Sequence, residues 1–137
     1  MSLLFATDAW VKALMKVVNH SEAYHEAAKD FEGDFVFVVE PAAQVAVGPV
    51  YFYLDLWHGA CRTAYEVVDG NPPKAAFTIR APAAVWKKVV LKQLDPMQGM
   101  ITNQLKLKGN MVVMMKNVKA AKILVECATL VDTSFPA

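Results

Sequence analysis

The sequence predicts an α+β fold in which helices pack on one face of a five-stranded, mostly antiparallel sheet. Three observations lead to this prediction. Apolar residues recur at helical spacing near the amino terminus, four strand-like segments follow between turn signals, and a short strand and a long apolar helix come last. A run of strands grouped apart from the helices is typical of α+β domains. With 137 residues and no repeat or low-complexity linker, the chain is expected to form one domain over residues 1–137.

Residues 8–30 have the pattern of two consecutive helices. From Trp10 to Val18, apolar residues recur three and four positions apart with lysines between them. The segment Asn19–Ser21 interrupts this pattern, and Ser21 is a suitable N-cap because its hydroxyl can accept a hydrogen bond from the next turn. We therefore expect one helix to end and a second to begin at this point.

Four apolar segments are predicted to form a four-strand meander. They are residues 35–40, 51–57, 61–68 and 75–81. A loop at 41–49, with a proline at both ends, separates the first two strands. His58-Gly59 is a hairpin signal, and residues 69–73, with the sequence Asp-Gly-Asn-Pro-Pro, form the plainest turn in the chain.

The rest of the chain is predicted to contain three helices and one strand. Pro82 opens a helix, and Asp95-Pro96 begins a short one, because aspartate caps a helix and proline fits its first turn. Residues 105–108 alternate apolar and polar side chains, as a half-buried strand does. One continuous helix is expected from Met111 to about Val131.

The apolar composition restricts the class of protein. Hydrophobic residues make up 55% of the chain and the mean hydropathy is +0.28, a surplus that calls for a membrane span, an oligomer interface or an internal cavity. A transmembrane segment is not expected, because a span needs about 20 mostly apolar residues and no segment offers them. The first residues also lack the basic start of a signal peptide. An interface and a cavity remain as explanations.

The charges are divided unevenly along the chain. Residues 1–68 hold 4 Lys+Arg and 9 Asp+Glu, a net −5, whereas residues 69–137 hold 10 and 4, a net +6. A basic second half favours transient contact with anionic membrane surfaces, while the spread of the lysines along helices argues against nucleic acid as a partner. Cys61 and Cys127 are far apart and form no metal motif, so we expect free buried thiols in a reducing cytoplasm.

The order of motifs in the second half resembles the sterol carrier protein type-2 family of lipid-binding domains. The residues that carry the resemblance are Phe77-Thr78-Ile79, Trp86, Val89, Asp95-Pro96, Leu105-Lys106-Leu107-Lys108-Gly109-Asn110 and Lys116. Over residues 75–131 the resemblance rests on specific residues and their spacing. Over residues 1–74 it rests only on the order of helices and strands. The chain departs from the family at Gln104, where a glycine is usual, and at Met100 and Ile101, where an aromatic residue is frequent.

The resemblance implies an apolar tunnel between sheet and helices that holds a fatty acid, an acyl-CoA or a sterol. It implies a carrier without a catalytic residue or a cofactor. Eukaryotic members of the family usually end in a peroxisomal signal, and the final residues 133–137 do not form one. We therefore expect a cytoplasmic protein.

Methionines are the most informative candidates for the ligand site. Met111, Met114, Met115 and Val118 lie on one stripe of the predicted last helix. Such a stripe alone is most often ordinary core, but methionine is flexible and accommodates varied apolar partners. With the resemblance, the predicted ligand-binding residues are Trp57, Trp86, Val89, Val90, Met97, Met100, Ile101, Met111, Met114, Met115 and Val118. A charged residue at Met114 or Met115 is expected to abolish binding.

Patterns for catalysis or metal binding are scarce. His20 and His25 are five residues apart, so on a helix they point in directions about 140° apart and cannot share a metal ion. The six glycines stand singly, so no phosphate-binding loop is present in the sequence. We expect neither a metal site nor a catalytic site.

Two alternatives to a carrier stay open at the level of sequence. The first is an accessory module that pairs with itself as a homodimer, or with an enzyme that acts on apolar substrates, and buries its apolar surplus there. The second is an enzyme that uses Asp55, Glu66 or Tyr65 as an acid or base in the cavity. Arg62 and Arg80 fit either an anionic ligand headgroup or ion pairs across the sheet with Asp55 or Glu66.

Overall fold

The computed structural model describes residues 2–41 and 49–135. These residues form the helices α1 Asp8–Asn19, α2 Glu22–Ala27, α3 Ala83–Val90, α4 Pro96–Ile101, α5 Met111–Lys116 and α6 Val118–Thr129. They also form the strands β1 Leu3–Leu4, β2 Glu32–Glu40, β3 Val50–Trp57, β4 Ala60–Val67, β5 Phe77–Pro82, β6 Lys106–Lys108 and β7 Thr133–Ser134. Most of the predicted loop at 41–49 and the last two residues of the chain lie outside the described residues.

The main sheet has five strands in the order β4-β3-β2-β5-β6. Its strand pairs are antiparallel except for β2 and β5, which run parallel. The predicted fold class is therefore confirmed, but the predicted four-strand meander is wrong in one connection. β5 does not pair with β4; the chain passes back across the sheet and β5 pairs with the free edge of β2, whose backbone groups would otherwise lack partners.

A second, two-stranded parallel sheet joins the two ends of the described chain. Leu3 is the partner of Thr133, and Leu4 is the partner of Ser134. The backbone N–H of Phe5 donates to the carbonyl of Ser134 at 2.8 Å. Strands of two residues are too short to show a period, so the sequence does not predict them.

The start of α1 and the break between α1 and α2 lie where the sequence predicts, but α2 ends at Ala27, before the predicted end at about residue 30. The Thr7 hydroxyl caps α1, and the Ser21 hydroxyl accepts a hydrogen bond from the backbone N–H of Tyr24 at 3.1 Å. The predicted apolar stripe of α1, which runs from Trp10 to Val18, is buried in the core. Local capping is thus sufficient to determine where α1 ends and α2 begins.

The predicted continuous helix at the end of the chain is wrong, because the structure divides it at Asn117 into α5 and α6. The Asn117 side-chain amide donates to the carbonyl of Val113 at 2.8 Å, and its backbone N–H donates to the carbonyl of Met114 at 3.0 Å. Asparagine side chains compete in this way for backbone groups and favour helix ends. As a result, the single methionine stripe expected from the sequence is broken.

The helices cover one face of the main sheet. α1 packs on β4, and α3 packs on β2 and β5. Phe35, Phe37 and Phe52 from the covered face belong to the main core, where the rings of Phe37 and Phe52 stack with centroids 4.8 Å apart. On the other face Val36 is the partner of Tyr53 and Val38 is the partner of Tyr51.

Candidate ligand-binding site

An apolar cavity lies between the covered face of the sheet and the helices. α6 packs against α1, α2, α3 and α4 and so forms the roof of this space. The cavity holds about 70 Å³ of open space. Its walls are formed by Tyr24, Phe31, Phe35, Phe37, Leu56, Ile79, Trp86, Val89, Pro96, Met100, Leu105, Met114, Asn117, Ala120, Ala121, Leu124 and Val125.

A second apolar cavity adjoins the first one. It holds about 60 Å³ and is lined by Phe5, Trp10, Leu14, Phe37, Phe52, Leu54, Trp86, Val89, Val90, Leu124, Val125 and Ala128. Five of these residues also line the first cavity, and they are Phe37, Trp86, Val89, Leu124 and Val125. The two spaces therefore share a wall formed by these five residues.

Trp86 is the residue of the shared wall whose side chain is hydrogen-bonded to the sheet. Its indole N–H donates to the carbonyl of Val38 at 3.0 Å in a buried hydrogen bond. Its ring meets the ring of Phe37 edge-on, with centroids 5.8 Å apart. Because the polar group of Trp86 is satisfied by the sheet, the remainder of its ring is free to act as apolar cavity wall.

Polar groups at the first cavity are few. Among the described lining residues none carries a charge, and the polar side chains besides that of Trp86 are those of Tyr24 and Asn117. The Asn117 amide N–H donates to Val113. Burial raises the pKa of Tyr24, so its hydroxyl stays protonated at neutral pH. An apolar chain fits such a space, whereas an isolated ion would lose its hydration without compensation.

The SCP-2 sterol transfer family model matches residues 11–122, which span most of the chain and most of the cavity wall. This chain belongs to the SCP-2 sterol transfer family. The resemblance to this family noted in the sequence is thus confirmed, and the match covers residues 75–122 and extends into the amino-terminal half as well.

Solved structures agree with membership of the SCP-2 sterol transfer family. A crystal structure of sterol carrier protein 2 is 36% identical with a TM-score of 0.85, and the alignment covers 93% of this chain and 98% of that one. A possible sterol carrier protein from Thermus thermophilus is 34% identical with a TM-score of 0.86, covering 100% and 96%. Sterol carrier protein 2 from Yarrowia lipolytica, at 18% identity, a TM-score of 0.59 and coverage of 87% and 88%, shares the fold. No curated protein matches the chain.

In this SCP-2 family member the predicted ligand-binding residues fall into three groups. Trp86, Val89, Met100 and Met114 line the first cavity, and Val90 lines the second. Met97 is buried and Val118 is half-buried, and neither belongs to a cavity wall described above. Trp57, Ile101, Met111 and Met115 are exposed. Ligand contact by any of these residues stays a prediction.

Met115 and Trp57 depart most from their expected surroundings. On α5 the adjacent side chains of Met114 and Met115 point in different directions: that of Met115 is 52% exposed, whereas that of Met114 is 4% exposed. Trp57 is 39% exposed, and the Arg62 guanidinium lies 4.3 Å from its ring centroid. Alternation along β3 puts Trp57 on the face of the sheet that the helices do not cover.

Several wall residues were not identified from the sequence. They are the inward-facing Phe35, Phe37, Leu56 and Ile79 of the strands and Tyr24, Phe31, Ala120, Ala121, Leu124 and Val125 from other segments. The alternation of strands could have indicated the sheet residues, had the covered face been known. No local signal distinguishes the α6 residues from ordinary core.

The acids and bases considered for catalysis lie away from both cavities. Asp55 accepts two hydrogen bonds from Arg62, at 3.0 and 3.2 Å, and Tyr65 packs on Tyr53. Glu66 accepts a hydrogen bond from the backbone N–H of Asp8 at 3.0 Å. None of these three residues lines either cavity in the described structure. The hypothesis of an acid or base inside the cavity therefore loses its proposed residues.

The charged side chains on the uncovered face pair mainly with each other. Arg62 pairs with Asp55, as one of the sequence alternatives proposed, whereas Arg80 lies 3.9 Å from Glu40 and not near Glu66. Within residues 2–41 and 49–135, no three His, Cys, Asp or Glu side chains come together as a metal site would require. No described helix is long and apolar enough to cross a membrane.

Buried thiols give the protein a predicted sensitivity to alkaline pH. Burial raises the pKa of Cys61 to about 11 from an ordinary value of 9.0, and it also raises the pKa of Cys127. Because the folded state holds these protons more tightly than the unfolded state, its extra stability is complete below about pH 9 and is lost as the pH rises through about 11.

We expect the free energy of unfolding in urea to fall by about 1–2 kcal/mol between about pH 8 and 10.5. The Cys61→Ala variant should show a shallower decline over the same interval, with Cys127 left in place. An equal decline in both proteins would contradict the assignment to Cys61.

Proposed function

We propose that this protein is a non-catalytic carrier that holds a fatty-acid-like, acyl-CoA-like or sterol-like ligand in the space between its sheet and its helices. The observation that carries the proposal is the apolar space between sheet and helices, whose described walls contain no charged side chain. Membership of the SCP-2 sterol transfer family supports the same function. The ligand binds by partition, and each buried CH₂ group contributes roughly 0.8 kcal/mol.

In this proposal the two cavities act as lobes of one ligand space. Separate volumes of about 70 and 60 Å³ are below the roughly 300–1,000 Å³ typical of ligand sites. Two residues of the shared wall, Leu124 and Val125, belong to α6. A modest outward movement of α6 joins the lobes without breaking the main sheet.

The helix α5 offers a route for ligand entry. Its inner residue Met114 lines the first cavity, while Met111, Val112 and Met115 on the same helix are exposed. The capping side chains of Asn110 and Asn117 mark its two ends and provide places where the chain can bend. We propose that this exposed apolar surface makes transient contact with a membrane when the ligand is exchanged.

A second candidate function follows from the same kind of exposed apolar residue. Ile101 is 65% exposed and Val112 is 62% exposed, so these side chains could instead be covered by a second copy or by an enzyme for which the protein is an accessory module. Light scattering over a range of protein concentrations distinguishes the accessory module from the carrier. A mass that rises with concentration, together with an absence of lipid binding, would favour the accessory module.

Native mass spectrometry of freshly purified protein, followed by solvent extraction and lipid identification, tests the proposed function. The carrier hypothesis predicts a discrete adduct of one lipid per chain, or uptake of one when palmitate or cholesterol is added. A mass that stays at that of the polypeptide after both additions would contradict it.

A further inference from the structure

Tyr24 is a buried polar side chain in an otherwise apolar cavity wall. It lies on α2, where its backbone N–H is fixed by the Ser21 hydroxyl at 3.1 Å. The residue is only 2% exposed, and it lines the first cavity together with Phe31 and Leu56. Its position is therefore set by a helix cap and by core packing, which gives the hydroxyl a defined place.

The Tyr24 hydroxyl has no hydrogen-bond partner among the described residues. In the described part of the chain, every side-chain nitrogen or oxygen that is fully enclosed by protein has a partner. The Tyr24 oxygen is consequently not fully enclosed, and it borders open space rather than packed side chains. Tyr24 is itself one of the residues that line the first cavity. A buried hydroxyl without a partner is rare, because it gives up hydrogen bonds to water.

The other side-chain donor groups at the same wall already have protein partners. The indole N–H of Trp86 donates to Val38, and the side-chain amide of Asn117 donates to Val113. Among the described lining residues, the Tyr24 hydroxyl is thus the polar side-chain group that makes no hydrogen bond to protein. No described lining residue carries a positive charge that would compensate a carboxylate or phosphate.

We infer that the Tyr24 hydroxyl is the internal hydrogen-bonding anchor of the ligand site and selects an amphiphile with a neutral hydroxyl or carbonyl group at its inner end. This inference rests on the proposed carrier function. An ionised headgroup at the same place would be desolvated without a counter-ion, so an anionic lipid has to leave its headgroup at the protein surface. The ligands expected to enter polar end first are long-chain alcohols, ketones and sterols.

The Tyr24→Phe variant tests the inference with two ligands of equal chain length, 1-hexadecanol and palmitate. Phenylalanine keeps the ring packing and removes only the hydroxyl, and no hydrogen bond within the described protein is lost. The affinity for 1-hexadecanol should fall about five-fold, and that for palmitate should change less than about two-fold. Competition against one fluorescent probe measures both affinities, and thermal unfolding verifies the fold.

Tyr53→Phe is the matched control. Its hydroxyl donates to Asp34 at 2.8 Å on the uncovered face, so neither affinity should change. Equal losses for both ligands in Tyr24→Phe, or no loss for either, would overturn the inference while leaving the carrier function intact. If the wild-type protein binds neither ligand, the proposed function fails and the inference fails with it.

Discussion

Replacement of Met114 with lysine is expected to abolish lipid binding, whereas the same replacement at the adjacent Met115 should leave it intact. Met114 is 4% exposed and lines the first cavity, so a lysine there places an ammonium group in an apolar space. Met115 is 52% exposed and points away from the cavity, where an ammonium group stays hydrated. We expect affinity to fall more than about 100-fold at Met114 and less than about two-fold at Met115. Titration with a fluorescent fatty acid measures both.

Stability has to be separated from binding in this comparison. Met114→Lys is expected to destabilise the fold by about 2–4 kcal/mol because it buries an unpaired charge. Met114→Leu keeps the volume and the apolar surface and should retain binding. Circular dichroism identifies folded variants. Equal losses of affinity in Met114→Lys and Met115→Lys would contradict the assignment of the cavity face of α5.

Gly59→Ala is expected to destabilise the fold strongly. Gly59 has a φ of +81° in the hairpin between β3 and β4, where a side chain is strained by about 1–2 kcal/mol. A Cβ atom there would also lie 2.6 Å from the carbonyl oxygen of His25, a backbone atom that can move only with the end of α2. We expect a further loss of about 1–3 kcal/mol from this contact, measured by urea unfolding.

Gly70→Ala is the matched control for this prediction. Gly70 has a φ of +74°, close to that of Gly59, but a Cβ atom there would meet nothing within 4 Å. The control should therefore lose only the backbone contribution of about 1–2 kcal/mol. If both variants lose the same amount of stability, the contact between the hairpin and α2 does not constrain the fold.

The parts of the fold that the sequence predicted correctly depend on local chemistry. Ser21 and Asp95 cap helices where the sequence places them, and the hairpin forms at His58-Gly59. In each case the residues that determine the conformation are neighbours in the chain, so their effect can be read without knowing the tertiary structure.

The errors concern choices that depend on distant residues. β5 pairs with β2 because β2 has a free edge, and no property of residues 75–81 specifies that partner. The division at Asn117 could be suspected from an asparagine in a helix, but an apolar stripe continues on both sides of it. The division separates the methionines of α5 from the α6 residues with which they were predicted to form one stripe.

The ligand site was predicted less completely than the fold. Trp86, Val89 and Met114 were identified through the family resemblance and helical spacing, and all three line the cavity. Tyr24 was missed because a tyrosine in an amphipathic helix is ordinary, and only the structure shows that its hydroxyl lacks a partner among the described residues. Cavity walls are assembled from several elements, so spacing within one element identifies only part of them.

The central claim is that an apolar ligand occupies the space lined by Met100 and Met114. Nuclear magnetic resonance of protein labelled with ¹³C at the methionine methyl groups tests it directly, because the seven methionines sample both the cavity and the surface. Upon titration with palmitate, the methyl signals of Met100 and Met114 should shift most, and those of the exposed Met111 and Met115 should shift little. Shifts confined to Met111 and Met115, or no shift at any methionine, would contradict the claim.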